Sequence, residues 1–131
     1  MNQEEKITIV GVVGSRTLSV PDLGKFLPPD TEEIVSGRAK GVDTSARLYA
    51  LENNLKLTEF LPDYKRYGQG APLKRNIQII EHSQLVLIFW DGKSTGTKHV
   101  IENCKKLGVP SQIYIMTEGS WVLFTEDVNV T

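Results

Sequence analysis

The chain has 131 residues, 40% of them hydrophobic and 24% charged, with 15 basic against 16 acidic residues for a formal net charge of −1. These proportions exclude a chain that is mainly disordered, and the charge balance is far from that of a protein that coats DNA electrostatically. The longest apolar run, Leu85–Trp90, falls far short of the ~20 residues that span a bilayer, and the single cysteine, Cys104, excludes an internal disulfide or a CxxC zinc site.

Met1–Lys6 carries Glu4 and Glu5 and no basic-then-apolar signal pattern, so a cytoplasmic protein is expected. Ile7–Val13 is β-branched and nearly continuous, the pattern of a strand buried on both faces. Leu18–Pro29, with Pro21, Gly24, Pro28 and Pro29, leaves room for about two helical turns. Glu33–Ser36 is a short second strand. Val42, Ala46, Tyr49, Ala50 and Asn53 then share one helical face, with Leu48, Leu51 and Leu55 widening it and Asp43 as the expected N-cap. Lys56–Leu61 reads as a third strand, and Leu73, Ile77 and Ile80 mark a helix over 71–82. Leu85–Trp90 is the clearest strand in the chain. Val100, Ile101, Cys104 and Leu107 mark a further helix, stopped by Gly108 and Pro110. Gln112–Met116 and Trp121–Phe124 are the last strands, separated by a hairpin-length connection at Glu118-Gly119.

Alternating strands and helices predict a single α/β domain over residues 1–131, a three-layer sandwich with a mostly parallel sheet, right-handed crossovers and helices on both faces. The closing hairpin predicts an antiparallel edge strand. Acidic residues gather at the two ends, at Glu4, Glu5, Glu118, Glu126 and Asp127. Between Ser36 and Arg75 there are eight basic residues against four acidic.

In an open parallel sheet, ligands bind beyond the carboxyl ends of the strands, where strand order reverses. The loops to read are therefore Gly14-Ser15-Arg16, then Ser36 to Asp43, then Asp91 to Thr97. All three are rich in glycine, hydroxyls and cations, and two run directly into a helix. Glycine lets backbone N–H groups approach an oxyanion, hydroxyls donate further hydrogen bonds, and a helix start adds partial positive charge. Arg16 and Lys93 could neutralise such a ligand. Glycine and serine also make ordinary tight turns, but three such loops at one sheet edge favour a phosphate site. GxxxxGK[ST] is absent, because Gly41 is followed by Val42-Asp43, and no GxGxxG follows the first strand. Neither a P-loop NTPase nor an ordinary NAD dehydrogenase is supported.

Val13-Gly14-Ser15-Arg16, Val35-Ser36-Gly37, Gly41-Val42-Asp43, Tyr67-Gly68, Arg75-Asn76 and Asp91-Gly92 with Ser94-Thr95-Gly96-Thr97 together resemble the SLOG superfamily. The resemblance runs from about Ile7 to Ile115 and is nearest to small stand-alone members. That superfamily also holds the Lonely Guy phosphoribohydrolases, the core of DNA-processing protein A, putative molybdenum-cofactor carriers and sensor domains for NAD-derived signals. The resemblance implies a Rossmann-like fold with strand order 3-2-1-4-5, and a nucleotide or nucleotide-derived ligand. Carried over by position, Gly14, Ser15 and Arg16 line the first loop, and Ser36, Gly37, Gly41 and Asp43 form the second. Arg75 and Asn76 enter from the third helix, and Asp91, Gly92, Ser94, Gly96 and Thr97 complete the site. Two departures stand out. Arg38 replaces a glycine, and its long side chain could fill the pocket or grip a second phosphate. Val100 stands where the phosphoribohydrolases carry a catalytic glutamate, and Glu102 lies about 200° round the helix from it.

A sensor or carrier domain for an AMP- or ADP-ribose-type ligand is therefore the first expectation, with no certain cofactor, no metal and no membrane. The alternatives are a hydrolase cleaving nucleotides with Asp43 or Asp91 as acid or base, and a nucleic-acid module built on Arg38, Lys40, Lys65 and Arg66. A homodimer or higher oligomer is expected, because Trp121, Val122 and Phe124 leave an apolar edge. His82 and His99 lack partners at metal spacing, though His99 could reach the loop opening at Gly92. Cys104 sits on an apolar stripe and reads as buried and inert. Trp90 could stack on a base or cap the core. Tyr64 and Tyr67, interleaved with Lys65 and Arg66, suit either stacking or a packed lid. Glu52, Glu59 and Glu81 read as solvated.

Overall fold

The structure, a computed structural model, describes residues 6–124. Glu4, Glu5, Glu126 and Asp127 lie outside the described residues. The chain runs β1 (Ile9–Gly14), a 3-10 turn (Leu23–Phe26), β2 (Glu33–Ser36), α1 (Val42–Glu52), β3 (Lys56–Glu59) and the short α2 (Tyr64–Tyr67). A 3-10 turn (Gly68–Gly70) leads into α3 (Ala71–His82), followed by β4 (Leu85–Trp90), α4 (Thr95–Leu107), β5 (Ser111–Thr117) and β6 (Ser120–Phe124). The six strands form one sheet in the order β3-β2-β1-β4-β5-β6. Neighbours are parallel except β5 and β6, which are antiparallel. The expected α/β architecture, strand order and edge strand are thus observed. Among the described residues no helix is long and apolar enough to cross a membrane.

Side-chain alternation along the strands divides the core into two layers. On one face Val10, Val12, Ile34, Leu85, Leu87 and Phe89 pack against α1 and the Leu23 turn. On the other, Val13, Val35, Val86, Ile88 and Ile113 pack against α3 and α4 through Ile79, Ile80, Val100, Ile101 and Cys104. Phe89 is fully buried. It stacks on Tyr114 at 5.2 Å between centroids and meets Phe26 and Trp121 edge-on at 5.3 and 5.1 Å. Trp121 therefore belongs to the core rather than to an open edge. Cys104 is buried, and burial pushes its thiol up to about 11.

Several local expectations are corrected. Leu48 and Leu51 lie on the solvent face of α1, 53% and 62% exposed, because Val42, Ala46 and Ala50 make the buried stripe. Alanines at that spacing need no further width. The first connection holds a single 3-10 turn rather than two helical turns, between Pro21 and Pro28. Glu59 is not solvated. It accepts two hydrogen bonds from Arg47, at 3.1 and 3.0 Å. The β5–β6 connection is as short as expected, with Glu118 and Gly119 both at positive φ, 50° and 82°. Two consecutive positive φ angles match the twist of a tight hairpin.

Glu33 opens β2 at the amino edge of the sheet and is buried. It accepts the Thr58 hydroxyl at 2.6 Å and His82 Nε2–H at 2.9 Å, with Lys56 Nζ 3.9 Å away. The cluster ties the end of α3 to the β2–β3 edge. Burial acts to raise the Glu33 pKa, but the Thr58 hydroxyl, His82 and Lys56 outweigh it and leave it below 4.5. A lowered folded-state pKa stabilises the fold above the unfolded value and loses that contribution as pH falls through the folded value. Glu33→Gln is therefore expected to cost about 1–3 kcal/mol near neutral pH, the scale of charge-assisted hydrogen bonds. The gap between wild-type and variant melting temperatures should close as pH drops below 4.5.

Candidate functional site

Strand order reverses between β1 and β4, whose carboxyl ends lie side by side in register from Val10↔Leu85 to Gly14↔Phe89. A Cβ on Gly14 would strike the Phe89 carbonyl and stand 2.6 Å from the Val42 side chain, so only glycine allows this approach. The next residue ties the edge together. Ser15 N–H donates to the Phe89 carbonyl at 3.0 Å, and its carbonyl accepts from Val42 N–H at 3.4 Å. Its hydroxyl accepts Asp91 N–H at 3.0 Å. Ser15 thus joins the first loop to the Asp91 loop and to the start of α1.

The second loop turns round Asp43. Gly41, not Asp43, occupies the N-cap of α1. The buried Asp43 carboxylate reaches back to accept Ala39 N–H at 3.0 Å. Burial raises its pKa, opposed by Ala39 N–H, Arg75, Gly37 N–H and the Ser36 hydroxyl. Ser36 Oγ is itself buried and makes no well-formed hydrogen bond among the described residues. Arg38 adopts φ +60°, which suits the glycine expected there. Its side chain turns to Glu59, 3.9 Å away at the sheet edge, and neither fills the pocket nor reaches into it.

From α3, the buried Arg75 donates through Nη1 to the Gly37 carbonyl at 2.8 Å and through Nε to Asn76 Oδ1 at 3.1 Å. A Cβ on Gly37 would lie 2.6 Å from Nη1, so glycine makes room for the guanidinium. Asn76 in turn donates to the Gly96 carbonyl at 3.5 Å. His99 Nδ1 meets Asn76 Nδ2 at 3.4 Å rather than the Gly92 loop. Burial lowers the His99 pKa.

Asp91 accepts Lys93 and Ser94 N–H, both at 2.8 Å, and these bonds hold its pKa below 3.8. Trp90 packs on the α3–α4 core layer and donates to the Ser94 carbonyl at 3.1 Å, so it braces this loop. Ser94 is the N-cap of α4 but does not cap with its side chain, which pairs with the Thr97 hydroxyl at 3.2 Å. Gly96 lies in the first turn of α4, and a Cβ there would meet nothing within 4 Å. The N–H groups of Thr95, Gly96 and Thr97 precede the first intrahelical bond, Lys98 N–H to the Ser94 carbonyl at 3.1 Å.

These elements surround a cleft of about 440 Å³. Of the residues expected from sequence, Gly14, Arg16, Asp43, Arg75, Asn76, Asp91, Ser94, Gly96 and Thr97 line it. Ser15, Ser36, Gly37, Gly41 and Gly92 do not, although all but Gly92 contact or shape residues that do. Thr17, Ala39, Pro72, Leu73 and Thr95 also line it, and Val13, Ile79 and Val100 complete its apolar wall. Thr17 and Thr95 were legible as hydroxyls beside Arg16 and Gly96. Leu73 sits at helical spacing with Ile77 and Ile80, which disguised it as core. Glu102 is exposed and outside the cleft. No group of three metal-ligating side chains occurs among the described residues.

No known protein family matches the chain, and neither does any curated protein. Among solved structures it is similar to DNA processing protein A from Streptococcus pneumoniae, with a TM-score of 0.70 at 23% identity over 86% of this chain. The chain matches 52% of that protein, about half its length. The likeness is one of fold.

Gly41 offers a direct test of how the cleft is held open. Its φ is +73°, and a Cβ there would strike the Arg16 carbonyl. Gly41→Ala is expected to destabilise by at least ~1–3 kcal/mol, the scale of a residue forced into a left-handed conformation, read as a lower denaturation midpoint.

Proposed function

We propose that the cleft binds the phosphorylated end of a nucleotide-type ligand, of AMP or ADP-ribose kind, and that the domain is a SLOG-type sensor or carrier. The observation that carries this is the contrast between two helix starts at one sheet edge. The start of α1 is filled from within: Ser15 C=O takes Val42 N–H, and the Asp43 carboxylate lies in its first turn. The start of α4 is more open: Asp91 takes only the Lys93 and Ser94 N–H groups ahead of it, no described side chain caps its first-turn N–H groups, Gly96 faces empty space, and Arg16 lines the same cleft. Free N–H groups, a helix dipole and a guanidinium together suit a phosphate. The order of the sequence motifs, and a fold like that of DNA processing protein A, support the superfamily. Binding is favoured over cleavage because Val100 forms part of the wall, and the Asp43 and Asp91 carboxylates are both engaged by loop N–H groups.

A second reading rests on a different surface. Tyr64 and Tyr67 are exposed on α2, and Arg66 and Lys74 lie over the Tyr67 ring at 5.3 and 5.5 Å. Exposed rings among cations suit single-stranded nucleic acid. On that reading a labelled oligonucleotide binds with steep salt dependence and AMP does not compete. We also propose self-association through β6, where Val122, Leu123 and Phe124 are exposed. Sedimentation that finds only monomer at high concentration would rule this out.

Calorimetric titration with AMP and ADP-ribose tests the main reading. Arg16→Ala should weaken binding by about 1.5–3 kcal/mol, the loss of a charge-assisted hydrogen bond. Gly96→Val should fold, since its side chain meets open space, and should obstruct the anion position. If wild type binds and both variants bind equally well, the ligand sits elsewhere. If neither nucleotide binds wild type, the proposal fails.

A further inference from the structure

Resting on that reading, we infer that the cleft is built for two adjacent phosphate groups, and so takes a nucleoside diphosphate in preference to a monophosphate. The open start of α4 provides one anion position. Arg75 provides the other. Its side chain lines the cleft, yet the residue is only 8% exposed. It is fixed at two points, Nη1 on the Gly37 carbonyl at 2.8 Å and Nε on Asn76 at 3.1 Å. Its Nη2 donors make no hydrogen bond to any described residue. A guanidinium anchored through Nε and one Nη1 hydrogen keeps its Nη2 donors, which open onto the cleft, for an anion.

The charges around Arg75 agree. Burial lowers its pKa, Asp43 attracts it without an ion-pair contact, and Arg16 repels it. An anion between the two guanidiniums removes that repulsion and restores the solvation lost on burial. The two anion positions are also neighbours. Asn76 accepts from Arg75 and donates to the Gly96 carbonyl in the first turn of α4, so one amide side chain links them. The asymmetry between a fixed, buried fork and a flexible cation is what separates a second phosphate from general attraction by charge.

The test is titration of the protein with phosphate, pyrophosphate, AMP and ADP at constant ionic strength. Wild type is expected to bind ADP at least tenfold more tightly than AMP, and pyrophosphate correspondingly more tightly than phosphate. In Arg75→Gln the ADP-to-AMP ratio should fall close to one, and Arg75→Lys should recover only part of it. Because Arg75 is buried, each variant is first shown to melt cooperatively. Independently of any variant, the Arg75 guanidinium proton resonances should shift on adding ADP and much less on adding AMP. Equal affinity for AMP and ADP would overturn the inference while leaving nucleotide binding standing. A ratio unchanged in folded Arg75→Gln, or guanidinium resonances indifferent to ADP, would overturn it too. If none of the four probes binds, both the inference and the function it rests on fall.

Discussion

The carboxyl ends of β1 and β4 meet at Gly14, where no side chain fits between them. A Cβ there would strike the Phe89 carbonyl and crowd Val42. Everything at this edge follows from that closeness. It brings Ser15 within reach of the Phe89 carbonyl, of Val42 N–H and of Asp91 N–H at once. Three loops from three parts of the chain are thereby held together by one buried residue. Backbone groups that would otherwise be costly to bury are satisfied locally. The cleft is the space that remains when these loops are fixed and α3 and α4 pack on the sheet beside them.

Glycine plays two unlike parts here. Gly14, Gly37 and Gly41 are glycine because other atoms occupy the place of a Cβ: Phe89 and Val42, Arg75, and the Arg16 backbone respectively. These serve the architecture of the loops. Gly96 is the reverse case, facing empty space at the start of a helix. A sequence does not distinguish the two. Ser15, Ser36, Gly37 and Gly41, expected as ligand-binding residues, lie outside the cleft lining and contact or adjoin Arg16, Asp43, Arg75 and Asp91, which line it. The strands were readable because buried parallel strands are continuous apolar runs, and Leu85–Trp90 matched to the residue. The chain order of elements and the hairpin were legible for similar reasons. What escaped was side-chain direction. Arg38 departs toward Glu59 because β3 lies beside β2, and only the assembled sheet places Glu59 there. Leu48 and Leu51 were misplaced because a stripe of alanines already met the packing needs of α1.

The electrostatics of the cleft extend the same division of labour. Two carboxylates line it, yet each is engaged by its own loop: Asp43 by Ala39 N–H, Asp91 by Lys93 and Ser94 N–H. Their pKa values move in opposite directions because Asp43 is buried, which raises it, while Asp91 is exposed and held by backbone donors, which lowers it. Asp43 acts as an internal anion for the loop that precedes α1. At α4 the Asp91 carboxylate takes the N–H of Ser94, the N-cap residue, but among the described residues no side chain caps the first-turn N–H groups, and Ser94 turns its hydroxyl to Thr97. One helix start thus has a carboxylate inside its first turn, and the other has one only ahead of it. The second opens onto the cleft that Arg16 and Arg75 also line, with Asn76 linking Arg75 to Gly96. The two helix starts therefore differ in what meets their N–H groups, and it is on this difference, with the Arg75 Nη2 donors opening onto the same cleft, that the proposed anion site rests.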